Sequence, residues 1–430
     1  MLAVSQPRTH NGEMTGTNAS DPAPSGPAPS GPVPSGPAPS GPAPSGPAPS
    51  GPVSPDGQES GDWYSNPSAR DHRSVSAPVQ VLDFHLRLPG YAPTPLRDCP
   101  ELAAELGVGR VFVKEEAERF GLPAFKMVGA SWAVCRALAA TTSEPDRLWT
   151  FDELREQLDA RVRLVCATDG NHGRAVAHTA ALLGLQAQVF VPASIGQRAK
   201  DGIVSEGAQL CEVDAPYDDV VSQAAQAAAA DPYALLVQDT AWPGYEQIPG
   251  WIVQGYSTIF REIDAQLHDA GAGGPDVVVT PCGVGSLIQA TAAHYRGGDR
   301  GAEVSRPSLL SVEPEESACL LESLRAGHPV AVRTGYTRMA GLNCGIVSSI
   351  AWPVLQGGVD AAVTVTEDQD LQAVTELQRL GLDSGPCGAA SLAGLRVAAG
   401  NAALRQAMDI CASSVVVLLS TESLAANPVT

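Results

Sequence analysis

Short runs of β-branched and aliphatic residues alternate along the chain with longer stretches rich in Ala and Leu. "RLVCATD" (163–169) reads as a strand, "GRAVAHTAALLG" (173–184) as a helix closed by Gly184, and "QAQVFVPA" (186–193) as the next strand. Farther along, "PDVVVTP" (275–281) is a strand, "SLIQATAAHYR" (286–296) a helix and "PSLLSVEP" (307–314) a strand; "SSVVVLLSTES" (413–423) is a last one. These strands are apolar at nearly every position rather than at every second one. A strand of that kind is buried on both faces, which belongs to parallel sheets covered on both sides by helices. The number of such units predicts an α/β fold of two doubly wound open-sheet domains. The large domain is expected over 76–130 and 265–430, and the small α/β domain over 131–264.

The N-terminal part breaks the pattern. Residues 22 to 52 repeat the pentad "PAPSG", with the variant "PVPSG". Pro, Gly and Ser at this density bury too little apolar surface to offset chain entropy, so residues 1–75 are expected to be a disordered tail. No aromatic or basic residue marks a docking register in the repeat, which favours a plain spacer over a ligand for a proline-binding module. Ordered sequence is expected from about "VQVLDFHLRLPGYAPTPL" onward.

Composition narrows the class of partner. The formal net charge of −20 opposes phosphate backbones and anionic lipid, so neither nucleic acid nor a membrane surface is an expected partner. No run of 18 apolar residues occurs, and the N-terminus has no basic region followed by an apolar core. Nine cysteines are scattered singly, without a C-x-x-C pair or a metal-ligand spacing to His. That usage fits reduced thiols in the cytoplasm and no metal site.

In open parallel sheets, ligands sit at the carboxyl ends of the strands. Three such loops carry candidate chemistry. In "ATDGNHGRAV", residues Asp169 to Gly173 join a strand to a helix whose first N–H groups favour an anion such as a carboxylate. Asn171 can donate to a hydroxyl or phenolate, and Asp169 can serve as a base; an ordinary N-cap turn is the alternative. In "TPCGVGSLIQA", Gly283, Val284, Gly285 and Ser286 open a helix. Ile288 stands where a dinucleotide fingerprint needs glycine, and no lysine follows as in a nucleoside-triphosphate loop. What remains suits a phosphate monoester or a tight turn. In "LLSTES", Ser420 or Thr421 can hydrogen-bond a neutral ring nitrogen, or simply cap a helix.

A lysine completes the set. The chain has only three lysines, Lys114, Lys126 and Lys200, among many more arginines. Lys126 lies between Phe125 and Met127 in "GLPAFKMVGAS", an apolar setting that lowers an amine's pKa and makes it a usable nucleophile. Arginine stays protonated and cannot form a Schiff base. A helix-start lysine that snorkels to water is the plainer reading. Taken together, an amine, a phosphate cradle, an Asn beside a carboxylate-binding turn and a hydroxyl for a ring nitrogen describe a pocket for pyridoxal 5'-phosphate. Its aldehyde would take Lys126, its phosphate residues 283 to 286, and its ring oxygen Asn171.

At this point the sequence resembles the fold type II, tryptophan synthase β-like pyridoxal-phosphate enzymes, and within them the diaminopropionate ammonia-lyases. The resemblance is carried by "RFGLPAFKMVGAS", "ATDGNHGRAVA", "QDTAWPGYEQIPGWIVQGYSTIF", "TPCGVGS", "SVEPEESACL", "MAGLNCG" and "VVVLLSTES", in the family's order and spacing from about residue 80 to 425. It implies α,β-elimination on D- or L-2,3-diaminopropionate, giving pyruvate and ammonia, by a homodimer. It also implies two carboxylate bases, Asp169 and Asp239, one for each face of the substrate, with the substrate carboxylate in the turn of Thr168, Gly170 and His172. A serine/threonine dehydratase-like or β-replacement enzyme is the alternative on this fold; Asp169 and the "QDTAW" segment argue against it. Ser423 after Glu422, where the family usually has glycine, and "DSGPCGAAS" (383–391) depart from the pattern.

Overall fold

The computed structural model of the chain describes residues 63–298 and 306–429. Eleven strands lie among them: β1 (Trp63–Ser65), β2 (Leu96–Asp98), β3 (Arg110–Glu115), β4 (Arg163–Ala167), β5 (Gln186–Pro192), β6 (Gln209–Val213), β7 (Ala234–Leu236), β8 (Val277–Pro281), β9 (Ser308–Pro314), β10 (Ala361–Val365) and β11 (Val415–Ser420). They form a seven-stranded sheet in the order β1-β10-β9-β8-β11-β3-β2 and a four-stranded sheet in the order β6-β5-β4-β7. The small sheet is wholly parallel. The large one is parallel except at its edges, where β1 and β2 pair antiparallel. The expected pair of open α/β sheets is therefore present.

Side-chain alternation explains the layering. Val278, Val417 and Leu419 face one core of the large sheet, whereas Val277, Val279, Val416 and Leu418 face the other. The helix Pro386–Gly400 contributes Leu392 and Ala393 to the second core. The first core also holds Leu164 and Val189 of the small sheet, together with Met127 and Val128 of the helix Lys126–Ala139. That helix has twelve of its fourteen residues buried, which is why its sequence shows little amphipathic period.

The helix Lys126–Ala139 crosses the helix Gln247–Asp269 at two glycines. A Cβ on Gly255 would overlap the Val128 carbonyl oxygen, and one on Gly129 would overlap the Tyr256 ring. The expected domain boundaries at 130/131 and 264/265 thus fall inside two tightly packed helices. Gly255→Ala is expected to force this crossing apart and lower stability by about 1–3 kcal/mol, as overpacking does. Chemical denaturation reads the shift; an unchanged midpoint would mean that the crossing tolerates a methyl group.

The folded body begins earlier than the expected residue 76. Trp63–Ser65 adds an edge strand to β10, and Arg70 pairs with Asp360 (3.3 Å) and Asp409 (2.6 Å). A three-residue strand is too short to show a period, and its partners lie roughly 300 residues away in sequence, so composition alone placed the boundary too late. The "PAPSG" repeat lies outside the described residues. No helix among the described residues is long and apolar enough to cross a membrane.

Candidate active site

The carboxyl ends of β4, β7, β8 and β11 converge on one cavity of about 680 Å³. Lys126 enters it from the first turn of its helix. The preceding loop is tied to the end of β11: Phe125 N–H donates to the Thr421 carbonyl (3.2 Å) and Ser423 N–H to that of Pro123 (2.9 Å). Lys126 Nζ donates to Asp239 Oδ2 at 2.7 Å. Burial disfavours the ammonium, but the Asp239 carboxylate more than reverses this and raises the lysine pKa. The apolar sequence setting predicts the opposite direction. The correction comes from a carboxylate 113 residues away, whose charge outweighs desolvation.

Asp239 follows β7 and is held at its backbone by Ser286 Oγ, which donates to the Asp239 carbonyl at 2.8 Å. Burial would raise its pKa; interactions with His172 and Lys126 outweigh burial and leave it at about 2. Burial lowers His172 itself, so Lys126 is the lasting cation beside Asp239. Asp169, on the same cavity wall, goes the other way. Burial first, and then the Asp239 charge, push it up to about 7. Two carboxylates in one cavity thus differ by several units, the arrangement that separates acid and base roles.

The turn after β4 is shaped by Thr168. Its Oγ1 accepts from Gly170 N (2.9 Å) and Gly173 N (3.0 Å). A Cβ on Gly173 would overlap the Thr168 methyl group, so that hydroxyl can close on the backbone only where glycine stands. His172 Nε2 bonds the Val237 carbonyl at 2.7 Å, while its buried Nδ1 has no hydrogen-bond partner and lies 3.8 Å from Asp239. Asn171 Nδ2 donates to Glu422 Oε2 at 2.6 Å.

The opposite wall is the glycine loop. Gly285 has φ +96°, and a Cβ on Gly283 would come 2.8 Å from the Gly341 carbonyl oxygen. The helix Ser286–Tyr295 begins there without a side-chain cap, so its first N–H groups are available to an anion. Lys126, Thr168, Asp169, Gly170, Asn171, His172, Asp239, Gly283, Val284, Gly285, Ser286 and Thr421 all line the cavity. Ser420 does not; its hydroxyl is turned away, to Ser384 Oγ at 2.8 Å. Among the wall residues that the sequence did not single out, two carry polar groups of note. Glu422 was legible only as part of "STES", and Tyr217, whose hydroxyl accepts from Gln238 Nε2 at 3.0 Å, sits in no motif. Among the described residues no cluster of His, Cys, Asp and Glu is placed to hold a metal ion.

The residues fit pyridoxal phosphate. The amine stands in the cavity, a loop whose glycines at 283 and 285 have no space for a Cβ against neighbouring segments of the chain opens a helix start, and an unpartnered imidazole nitrogen is buried beside them. A cavity of this size has room for the cofactor and a small amino acid.

Residues 87–421 match the family of pyridoxal-phosphate dependent enzymes. The chain is 37% identical to diaminopropionate ammonia-lyase of Salmonella typhimurium over 67% of this chain and 72% of that protein. It is 34% identical to the Escherichia coli K12 diaminopropionate ammonia-lyase over 79% of this chain and 86% of that one. The crystal structure of the Escherichia coli diaminopropionate ammonia lyase in complex with D-serine superposes with a TM-score of 0.75 at 28% identity, covering 85% of this chain and 94% of that chain. With a family match over residues 87–421 and relatives of this identity and coverage, the chain belongs to the pyridoxal-phosphate-dependent enzymes and, within them, to the diaminopropionate ammonia-lyase family.

Proposed function

We propose that this chain eliminates ammonia from 2,3-diaminopropionate, with pyruvate as the carbon product. The observation that carries the reading is the pair of carboxylates, Asp169 and Asp239, sharing one cavity with Lys126. Bound pyridoxal phosphate supplies an electron sink for the charge left at Cα when its proton is taken. Lys126 is the amine that holds the cofactor's aldehyde, and the N–H groups of Gly283 to Ser286 take its phosphate. Asn171 holds its ring oxygen. Thr421, rather than Ser420, is the hydroxyl on the cavity wall beside the end of β11.

The substrate carboxylate is bound beside the turn of Thr168 and Gly170: the Thr168 hydroxyl holds the Gly170 and Gly173 N–H groups, which leaves the Asn171 and His172 N–H groups at the helix start for the anion. His172 positions that turn through its bond to Val237 and presents Nδ1 toward Asp239. Asp169 takes the Cα proton of the D-isomer and Asp239 that of the L-isomer. Lys126, protonated beside Asp239, would be the group within the cavity able to give a proton to the departing β-amino group. The protein works as a homodimer in the cytoplasm; light scattering at twice the 44.3 kDa of one chain is the expected solution mass.

A substrate panel tests the reading. Pyruvate release is expected to be fastest from D- or L-2,3-diaminopropionate and slower from D- and L-serine. Faster pyruvate release from serine, or faster 2-oxobutyrate release from threonine, would overturn it in favour of a dehydratase. The cradle has its own test. Gly285→Val places a branched side chain at positive φ and against Leu355 and Ala351, so cofactor affinity is expected to fall at least tenfold, by about 1.4 kcal/mol or more. Equilibrium titration with pyridoxal phosphate measures it, and an unchanged dissociation constant would reduce the loop to a turn.

A further inference from the structure

Glu422 is 2% exposed and lies on the cavity wall. Three N–H donors converge on its carboxylate: Asn171 Nδ2 on Oε2 (2.6 Å), and Cys387 N (3.2 Å) and Asn427 Nδ2 (3.2 Å) on Oε1. The donors come from three separate places in the chain: the turn after β4, the first turn of the helix Pro386–Gly400, and the C-terminal segment. Glu422 also pairs through its backbone with Ala124, two residues before Lys126. No other hydrogen bond to the Asn171 side chain forms among the described residues. A terminal amide held at one point by a carboxylate has its ends told apart: the nitrogen is committed to Glu422, and the carbonyl oxygen is kept away from it.

We propose that Glu422 is a positioning residue, which fixes the orientation of the Asn171 amide for the ring oxygen of pyridoxal phosphate. The inference rests on the cofactor reading above. It assigns to Glu422 a task that no hydroxyl at 420 or 421 performs, namely setting which end of Asn171 faces its acceptor. An ionised carboxylate is suited to this because it only accepts; burial raises the Glu422 pKa, and the N–H donors converging on it work against that rise. A neutral amide at 422 would meet the two donors on its carbonyl side and turn its own N–H₂ toward Asn171, so the Asn171 amide would have to invert.

The test is a double-mutant cycle read by cofactor binding. Wild type, Glu422→Gln, Asn171→Ala and the double variant are titrated with pyridoxal phosphate, following visible absorbance for the dissociation constant and the band position. Glu422→Gln is expected to weaken binding about tenfold or more, the effect of losing a hydrogen bond to a charged group, and to move the absorption band. In the Asn171→Ala background the same change is expected to cost less than about twofold, because its route of action has already been removed. An equal loss in both backgrounds, or an unchanged constant in Glu422→Gln, would overturn the proposal. Should Glu422→Gln fail to fold, Glu422→Asp keeps the charge on a side chain one methylene shorter, and the same two comparisons decide. If wild type itself takes up no pyridoxal phosphate, the cofactor reading fails; if it binds while the Glu422 variants bind equally well, only the role of Glu422 fails.

Discussion

Lys126→Arg is expected to yield a folded protein that releases no measurable pyruvate from 2,3-diaminopropionate. Arginine keeps the positive charge beside Asp239, so the ion pair at 2.7 Å has a substitute and the buried carboxylate is not left alone. What arginine lacks is a deprotonatable amine, and the covalent step needs one. The lysine is held protonated in this structure by Asp239, so it would have to give up that proton before it could serve as an amine nucleophile. Borohydride reduction of cofactor-loaded wild type, followed by peptide mapping, is expected to place the label on Lys126. A label on Lys114 or Lys200 would reject the assignment. The structure already separates the three. Lys114 is fully buried in a network with Glu262 (2.6 Å) and Gln266 (2.9 Å), and Lys200 is bonded to Glu212, also at 2.6 Å; neither lines the cavity.

The second large effect is a split between enantiomers. The two isomers present the Cα hydrogen on opposite faces while the carboxylate keeps its place, so each needs its own base. Removal of a positioned base costs about a hundredfold to ten-thousandfold in rate. Asp169→Asn is expected to lose D-isomer activity on that scale and retain most L-isomer activity, and Asp239→Asn to do the reverse. Equal loss of both isomers in both variants would sink the two-base mechanism. Acidity adds an independent check. A base works only when ionised, and burial with the nearby Asp239 charge puts Asp169 at about 7. Below that pH the carboxyl is protonated, so the D-isomer rate is expected to fall about tenfold per pH unit on the acid side and to level off above it. Asp239 sits at about 2 and stays ionised throughout, so the L-isomer rate is expected to lack that limb. Parallel pH profiles for the two isomers would contradict the assignment.

Some of this protein was legible in local pattern. Fully apolar strands, helices closed by glycine and glycine loops after strands are short-range signals, and each is decided by residues a few positions apart. Those signals predicted the parallel sheets, and they singled out the loop at 283–286, the turn at 168–173 and Lys126, which the structure places on one cavity. They could do so because backbone sterics and burial periodicity act on neighbours along the chain. The edge strand β1 was not legible, since three residues carry no period and its pairing depends on β10. Ser420 and Thr421 were indistinguishable as hydroxyls, and only the strand's alternation turned Ser420 toward Ser384 and left Thr421 on the cavity. The electrostatics were the least accessible of all. Lys126 meets Asp239 across 113 residues and Asn171 meets Glu422 across 251. Protonation state and amide orientation depend on charges and donors within a few ångströms in space, and sequence separation does not encode that distance. Chain pattern thus determined which residue types reach the site, while folding decided which of them hold protons, which face the cavity and which hold the others in place.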